Sequence, residues 1–472
     1  MPKFSARELA EWSGGAWLSG PPERITGAGN DSRTIERGAV YFALRGEHFD
    51  GHAFVEEAFR RGASSAVISR ENARGDGNVG TRDRPLLAVD DPHRALCRIA
   101  RCYRRKVKPE IVLGITGSVG KTTVKDMTTS VFAASMPAAC TFSNWNNDIG
   151  LPLSLLRMEG GTRAGIFELG SNHPGEISRL CGILEPSWAL VTGIGPVHTE
   201  FFKSVEEIAG EKAQLLKALP RGGKAILSPE TECFDILCSA APEETVTVAV
   251  EGEADYVCSS FSAPDGRCEI EERSTGEKSE LIAGAPGRHN ILNAMFAAAA
   301  GRAAGLDWET VERGLAGFSP SAMRWEEKTV EGISVVNDCY NANPLSMRAA
   351  IRTFSEMTAS GAKWLVLGAM MELGERARRE HVLLGEFAAA AAENQAGPNG
   401  LITVGALGKL IAEGAEKAGM SSESVIRCES TDQAAEAVKT HVRRGDALLL
   451  KGSRAARLEK ILELLVNSEV VQ

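Results

Sequence analysis

The segment "GITGSVGKTT" at residues 114–123, directly after the apolar run "IVL", constrains this chain more than any other stretch. An apolar strand passes into Gly117, Ser118, Val119 and Gly120, then into Lys121, Thr122 and Thr123 at the start of a helix. Such a turn points backbone N–H groups inward at a helix N-terminus, where they cradle phosphate. Lys121 can reach the β and γ phosphates of a nucleotide, and Thr122 offers a hydroxyl to Mg²⁺. The strict pattern would want glycine at position 115; here Ile115 stands there, with Gly114 one residue early. The order of strand, glycine turn, Lys-Thr-Thr and helix still predicts a phosphate loop, and with it a parallel sheet behind the loop.

The surroundings agree. "IVLGIT", "AGIFELG", "WALVTGI" and "KAILS" read as buried strands, each followed by turn residues and a helical pattern, a rhythm that predicts a parallel sheet with helices on both faces. A polar stretch from about 246 to 282 reads as antiparallel strands appended to it. After residue 318 the rhythm resumes with "ISVVND", "KWLVLG", "GLITVG" and "DALLLKG", a doubly wound, Rossmann-like unit. Residues 1–105 form a smaller α/β unit that ends in the basic connector "RCYRRKVKPE". The expected fold is therefore α/β in three domains, 1–105, 106–318 and 319–472. A length of 472 residues agrees, at about 150 residues per domain.

Lys and Arg number 53 against 62 Asp and Glu, a net charge of −9, which argues against a nucleic-acid partner. The start "MPKFSARELAEWSGG" has no apolar signal-like stretch, and the alanine-rich runs are too short to cross a bilayer. No membrane partner is expected, and the cytoplasm is the expected compartment. Ten cysteines without a Cys-x-x-Cys pair suggest neither a disulfide framework nor a zinc site, and most are expected to be buried as small apolar residues.

A magnesium nucleotide needs hard ligands at the carboxyl ends of the strands. Glu168 ends "AGIFELG", where a metal explains a carboxylate better than packing does. His198, in "GPVHTEFF", lies just past another strand, and a ligand role balances a structural one. Lys212, by helical pattern alone, reads as a solvated lysine. Asn144, Asn146 and Asn147 in "FSNWNNDIGLP" read as turn formers. Arg324, Asp338 and Tyr340 flank a strand and could be ordinary surface residues.

Taken together, "GITGSVGKTT", "NWNNDIGLPLSLL", "FELGSNHPGEI", "GPVHTEFF", "APGRHNILNAMFAAA", "MRWEE" and "NDCYNANPLSM" resemble, in order, the segments of the Mur ligase family, the ATP-dependent amide-forming enzymes of peptidoglycan precursor synthesis. "NDCYNANPLSMRAAI" and "LGAMMELGERARREH" resemble the members that add D-alanyl-D-alanine to a UDP-N-acetylmuramoyl-tripeptide. The resemblance implies an N-terminal domain for the UDP sugar, a central ATPase domain and a C-terminal domain for the incoming dipeptide. It implies that Gly117 to Thr123 hold phosphate, that Thr122 and Glu168 hold a first Mg²⁺ and His198 a second, and that Lys212 is carbamylated into a metal-binding carboxylate. Asn290 and Asn293 would meet the adenine, Arg324 the phosphates, Asp338 the ribose and Tyr340 the base. Asp31, Ser32, Arg33, Arg45 and Gly46 would lie near the uridine nucleotide. Asn144, Asn146, Asn147, Asn341 and Asn343 would lie on the substrate side. One departure stands out: Ala369 occupies a position that is usually acidic.

The implied chemistry is activation of a carboxylate as an acyl phosphate by a catalytic set of Lys121, Glu168, His198, Lys212 and Arg324, followed by attack of the dipeptide amine. A monomer with hinges near 105 and 320 is expected. The competing readings are a folylpolyglutamate synthase-like ligase, which should lack the uridine segment, and a nucleotide switch that forms no bond.

Overall fold

The computed structural model describes residues 4–46, 49–74, 84–197, 199–394 and 396–466. Three sheets divide the strands. The first has five, in the order Ala16–Trp17, Leu86–Val89, Ser65–Ser69, Ala39–Phe42, Gly27–Gly29, all parallel except the first pair.

The central sheet has nine strands. Ile111–Thr116 lies inside it, third from one edge, between Ala164–Glu168 and Trp188–Val191 and parallel to both. These strands are buried on both faces, hence their unbroken apolar runs. One face packs on the helices Lys121–Ala133 and Arg288–Ala303, the latter so alanine-rich that Ala297 to Ala300 are fully enclosed. The other face packs on Glu176–Leu184 and Val205–Lys217.

The polar extension is antiparallel, as expected, across Tyr256–Ser262, Arg267–Glu272 and Glu277–Ile282. Its first strand departs from the expectation: Glu244–Ala249 is parallel to both Lys224–Leu227 and Tyr256–Ser262. The third sheet has six strands, five of them parallel, with Glu326–Val330 antiparallel at its edge.

The basic run read as a connector is instead the end of the helix Pro92–Val107. Asp91 caps it by accepting from the N–H groups of His93 and Arg94, Pro92 fits its first turn, and Lys108 ends it in the left-handed conformation. Its apolar stripe, with Leu96, Ile99 and Tyr103, shares one hydrophobic cluster with Val40 and Leu87 of the first sheet and with Leu156 and Leu184 of the central unit. The Tyr103 hydroxyl donates to the Met158 carbonyl at 2.7 Å, and the Arg105 guanidinium to the Glu185 carboxylate at 2.9 Å. Residue 105 thus lies inside a helix that packs on the first sheet and on the central unit's helices Gly150–Leu155 and Glu176–Leu184, where a hinge was expected.

The cysteines also depart from expectation. All ten are free, but only four, Cys181, Cys268, Cys339 and Cys428, are buried. Cys97, Cys102, Cys140, Cys233 and Cys258 are half-buried and Cys238 is exposed.

In the third unit the helices Ala377–Ala392 and Gly405–Lys417 cross at backbone contact. A Cβ on Gly385 would stand 1.9 Å from the Ile411 carbonyl oxygen, and one on Gly414 would stand 2.1 Å from that of Val382. Gly385→Ala should therefore force the helices apart, at a cost of about 1–3 kcal/mol. A lower thermal midpoint should report it; an unchanged midpoint would mean that the crossing yields without strain.

Candidate active site

The strand Ile111–Thr116 delivers the phosphate loop to the carboxyl edge of the central sheet, where neighbouring strands run to opposite sides and leave a crevice. Gly117 has φ +146°, and a Cβ there would lie 2.2 Å from Thr192 Oγ1; Gly120 has φ +79°, and a Cβ there would lie 2.8 Å from Asn293 Oδ1. Only glycine fits either position. The loop is tied down by the Ser118 N–H donating to the Gly193 carbonyl at 2.7 Å and by the Ser118 hydroxyl donating to that of Gly195 at 3.0 Å.

Lys121 begins the helix, and its ammonium donates to the Gly117 carbonyl at 2.7 Å. Burial lowers its pKa, opposed by the Glu168 carboxylate and reinforced by the Arg324 charge. Thr122 Oγ1 donates to Glu168 Oε2 at 2.8 Å, and Asn146 Nδ2 donates to Glu168 Oε1 at 2.7 Å. Glu168 is 2% exposed, so its charge is held by these donors rather than by water. From the third unit, Arg324 Nη2 donates to the same Thr122 hydroxyl at 3.0 Å, while its guanidinium lies 4.0 Å from the centre of the Tyr340 ring.

The crevice is a cavity of about 1120 Å³. Ser118 to Thr123, Asn144, Asn146, Asn147, Glu168, Asn290, Asn293, Arg324, Asp338, Tyr340, Asn341 and Asn343 all face it. Asn147 behaves as a turn former, accepting from the N–H groups of Ile149 and Gly150, whereas Asn146 reaches the carboxylate. Asn293 Nδ2 donates to Asn290 Oδ1 at 3.2 Å, fixing both amides side by side. Asn343 caps the helix Pro344–Glu356, and Asn341 accepts from the N–H of Ala342.

Lys212 is no surface lysine. It is 1% exposed on the inner face of Val205–Lys217, and its ammonium donates to Ser171 Oγ at 2.6 Å. Burial first, then the Lys121 charge, push its pKa down to about 7, so near neutrality a large share of it is the uncharged amine. His198 lies outside the described residues. Asp31, Ser32, Arg33, Arg45 and Gly46 sit in loops of the first sheet and do not line this cavity. There Asp31 pairs with Arg33 at 2.7 Å, and Arg45 with Asp50 at 3.0 Å and Glu71 at 3.1 Å.

Two residues escaped the sequence reading. Lys451, 2% exposed, donates to Asp338 Oδ2 at 2.5 Å and to the Asn341 carbonyl at 3.2 Å, and so braces the strand end that carries Asp338. Its signal was a charge closing the apolar strand "DALLLKG", the same signal that marked Glu168. Glu211, buried beside Lys212, accepts from the N–H groups of Gly175 and Ile177 and so caps the helix Glu176–Leu184. Among the described residues no helix is long and apolar enough to cross a membrane, and no three His, Cys, Asp or Glu side chains converge as a metal cluster.

Comparison with known proteins places this arrangement. Residues 24–104 match the Mur ligase family catalytic domain, 115–301 the Mur ligase middle domain and 323–454 the Mur ligase glutamate ligase domain. The chain is 33% identical over 471 residues, 99% of each chain, to the UDP-N-acetylmuramoyl-tripeptide--D-alanyl-D-alanine ligase of Bacillus subtilis (strain 168). A crystal structure of MurF from Acinetobacter baumannii superposes with a TM-score of 0.86 at 27% identity over 99% of both chains. MurF ligase from Thermotoga maritima, solved in complex with ADP, gives 0.76 at 26% identity over 94% of this chain and 97% of that one. With a phosphate loop, a carboxylate and an arginine from another sheet meeting on one hydroxyl, and with likeness over the full length, this chain belongs to the Mur ligase family, the ATP-dependent ligases that form amide bonds.

Proposed function

We propose that the protein joins the amine of D-alanyl-D-alanine to the terminal carboxylate of a UDP-N-acetylmuramoyl-tripeptide, driven by ATP, in the synthesis of the cytoplasmic peptidoglycan precursor, and that it acts as a monomer. The observation that carries the reading is the meeting at Thr122, where Glu168 of the central sheet and Arg324 of the third unit share one hydroxyl. A switch needs only the first of these contacts. A ligase needs both, because the activated carboxylate forms over one domain and the amine arrives with the other.

A carboxylate cannot expel oxide, so its oxygen first attacks the γ-phosphorus of ATP, giving an acyl phosphate and ADP. Gly117 to Thr123 cradle the phosphates, with Lys121 and Arg324 offsetting charge on the transferring group. Asn290, Asn293 and Tyr340 hold the adenine, and Asp338, braced by Lys451, meets the ribose. The dipeptide amine then attacks the acyl carbon, and the tetrahedral intermediate collapses to amide and phosphate. Asn144, Asn146, Asn147, Asn341 and Asn343 line the substrate side. Asp31, Ser32, Arg33, Arg45 and Gly46 hold the uridine end.

The donor set suits Mg²⁺: a hydroxyl and a carboxylate 2.8 Å apart are hard oxygen ligands, and the neutral amine of Lys212 is the form that adds CO₂ to become a third. Thr122 and Glu168 would hold a first metal ion and His198 a second, with carbamylated Lys212 as a further ligand; when bound, the metals neutralise charge on the phosphates.

Incubation with ATP and each acceptor pair tests the reading. Mass analysis should find the UDP-tripeptide heavier by one D-alanyl-D-alanine, less water. Phosphate release only with a folate and glutamate would assign the folylpolyglutamate reaction instead, and ATP hydrolysis with no adduct would leave a switch.

A further inference from the structure

Beyond Glu168 the chain is clamped residue by residue along the cavity wall. The Leu169 N–H donates to the Ile115 carbonyl, and the Leu169 carbonyl accepts from the Thr116 hydroxyl, both at 2.8 Å. The Gly170 N–H donates to the Asn146 carbonyl at 2.9 Å, and a Cβ on Gly170 would lie 2.8 Å from the Asn146 side chain. On the far side, the N–H groups of Asn172 and His173 donate to Glu176 Oε2 at 2.7 and 3.1 Å. Ser171, between these two clamps, is 5% exposed and faces the cavity.

Its hydroxyl is therefore placed by the backbone, and it accepts from the buried Lys212 Nζ at 2.6 Å. Among the described residues this is the only hydrogen bond of either side chain, so the Ser171 hydroxyl proton is itself uncommitted. Glu211, next to Lys212 in sequence, directs its two oxygens to the N–H groups of Gly175 and Ile177. A hydroxyl suits a lysine that changes state, because it can accept from an amine and donate to a carboxylate.

Uptake of CO₂ by the neutral amine forms one N–C bond, moves one C=O electron pair onto oxygen and releases one N–H proton to water, so that R–NH₂ and CO₂ give R–NH–CO₂⁻ and H⁺. The product offers acceptor oxygens where the amine offered donors. We propose that Ser171 is the positioning residue for this carbamate: its hydroxyl turns from accepting to donating and holds the new carboxylate on the wall that carries Glu168. This rests on the carbamate of the ligase reading above.

Carbon-13 NMR of the full chain in ¹³C-labelled bicarbonate at pH 8 tests it, with the carbamate signal followed against dissolved CO₂ and Lys212→Ala as the blank. Ser171→Ala should need about tenfold more CO₂ for half occupancy, the scale of one hydrogen bond to a charged group. Ser171→Cys, which keeps nearly the wild-type volume but donates weakly, should behave like Ser171→Ala. Losing the serine as an acceptor leaves more of the amine uncharged, so a fall in occupancy reports the bond to the carbamate rather than to the ammonium. Half occupancy unchanged in Ser171→Ala, or a Ser171→Cys chain equal to wild type, would overturn this inference while the ligase reading stands. A wild-type chain that ligates without any carbamate would overturn the inference through the carbamate itself. A wild-type chain that makes no dipeptide adduct would overturn the ligase reading, and this inference with it.

Discussion

Lys121→Ala should abolish ligation, lowering kcat by roughly 10³-fold or more, the scale seen when a cation is removed from a transferring phosphoryl group. The fold should survive. Among the described residues the Lys121 ammonium bonds only to carbonyls of its own loop, Gly117 at 2.7 Å and Ser118 at 3.5 Å, and its burial opposes its charge. The loop's shape is set instead by Gly117, Gly120 and the Ser118 bonds. A melting curve beside a product assay separates the outcomes. Full turnover would refute the phosphate role, and loss of both activity and fold would show that Lys121 is structural.

Lys212→Ala carries the second large effect, a loss of about 10²-fold or more if a carbamate on this lysine supplies a metal ligand. Added formate or acetate should restore part of it, because the truncated side chain leaves room for a small carboxylate. Activity without any additive would dismiss the carbamate. The pKa of about 7 gives a second check with a definite sign. At equal dissolved CO₂, protein stripped of CO₂ should recover faster at pH 8 than at pH 6, since only the unprotonated amine adds CO₂. Stability moves in the same direction. Between about pH 7 and the unfolded value near 10.5, the unfolded chain holds a proton that the buried amine has shed, so folding gains as pH rises through that window and loses as it falls.

Much of this site could be read from the residues themselves. The phosphate loop announced itself because two glycines three apart lead from an apolar strand straight into Lys-Thr-Thr, and Glu168 did so because a carboxylate closing "AGIFE" needs a partner. Lys451 ends "ALLLK" in the same way and was overlooked, since a lysine is readily imagined bending out to water. Lys212 was misread although Ile208, Lys212, Leu215 and Leu216 make one inward stripe at helical spacing. The short strands Ala138–Cys140 and Val425–Cys428 are too brief for any period to show. Asn146 and Asn147 look alike in sequence; only the loop's path decides which meets a carboxylate and which closes a turn. The coupling of Arg324 to Thr122 spans 202 positions and no local pattern foretells it.

The helix Pro92–Val107, packed on the first sheet by one side and on the central unit's helices Gly150–Leu155 and Glu176–Leu184 by the other, limits how the molecule can flex. A chain with three sheets invites a picture of three independently swinging lobes, yet here the first two form one solid block. We expect the remaining freedom at the crossing near Ser321, where the links are single polar bonds such as Ser321 to Asp126 at 2.7 Å. On the ligase reading proposed above, an inhibitor that tethers a uridine mimic to a phosphate mimic would meet a fixed separation in this protein, and only an arm extended toward the last 150 or so residues would need a pliable linker.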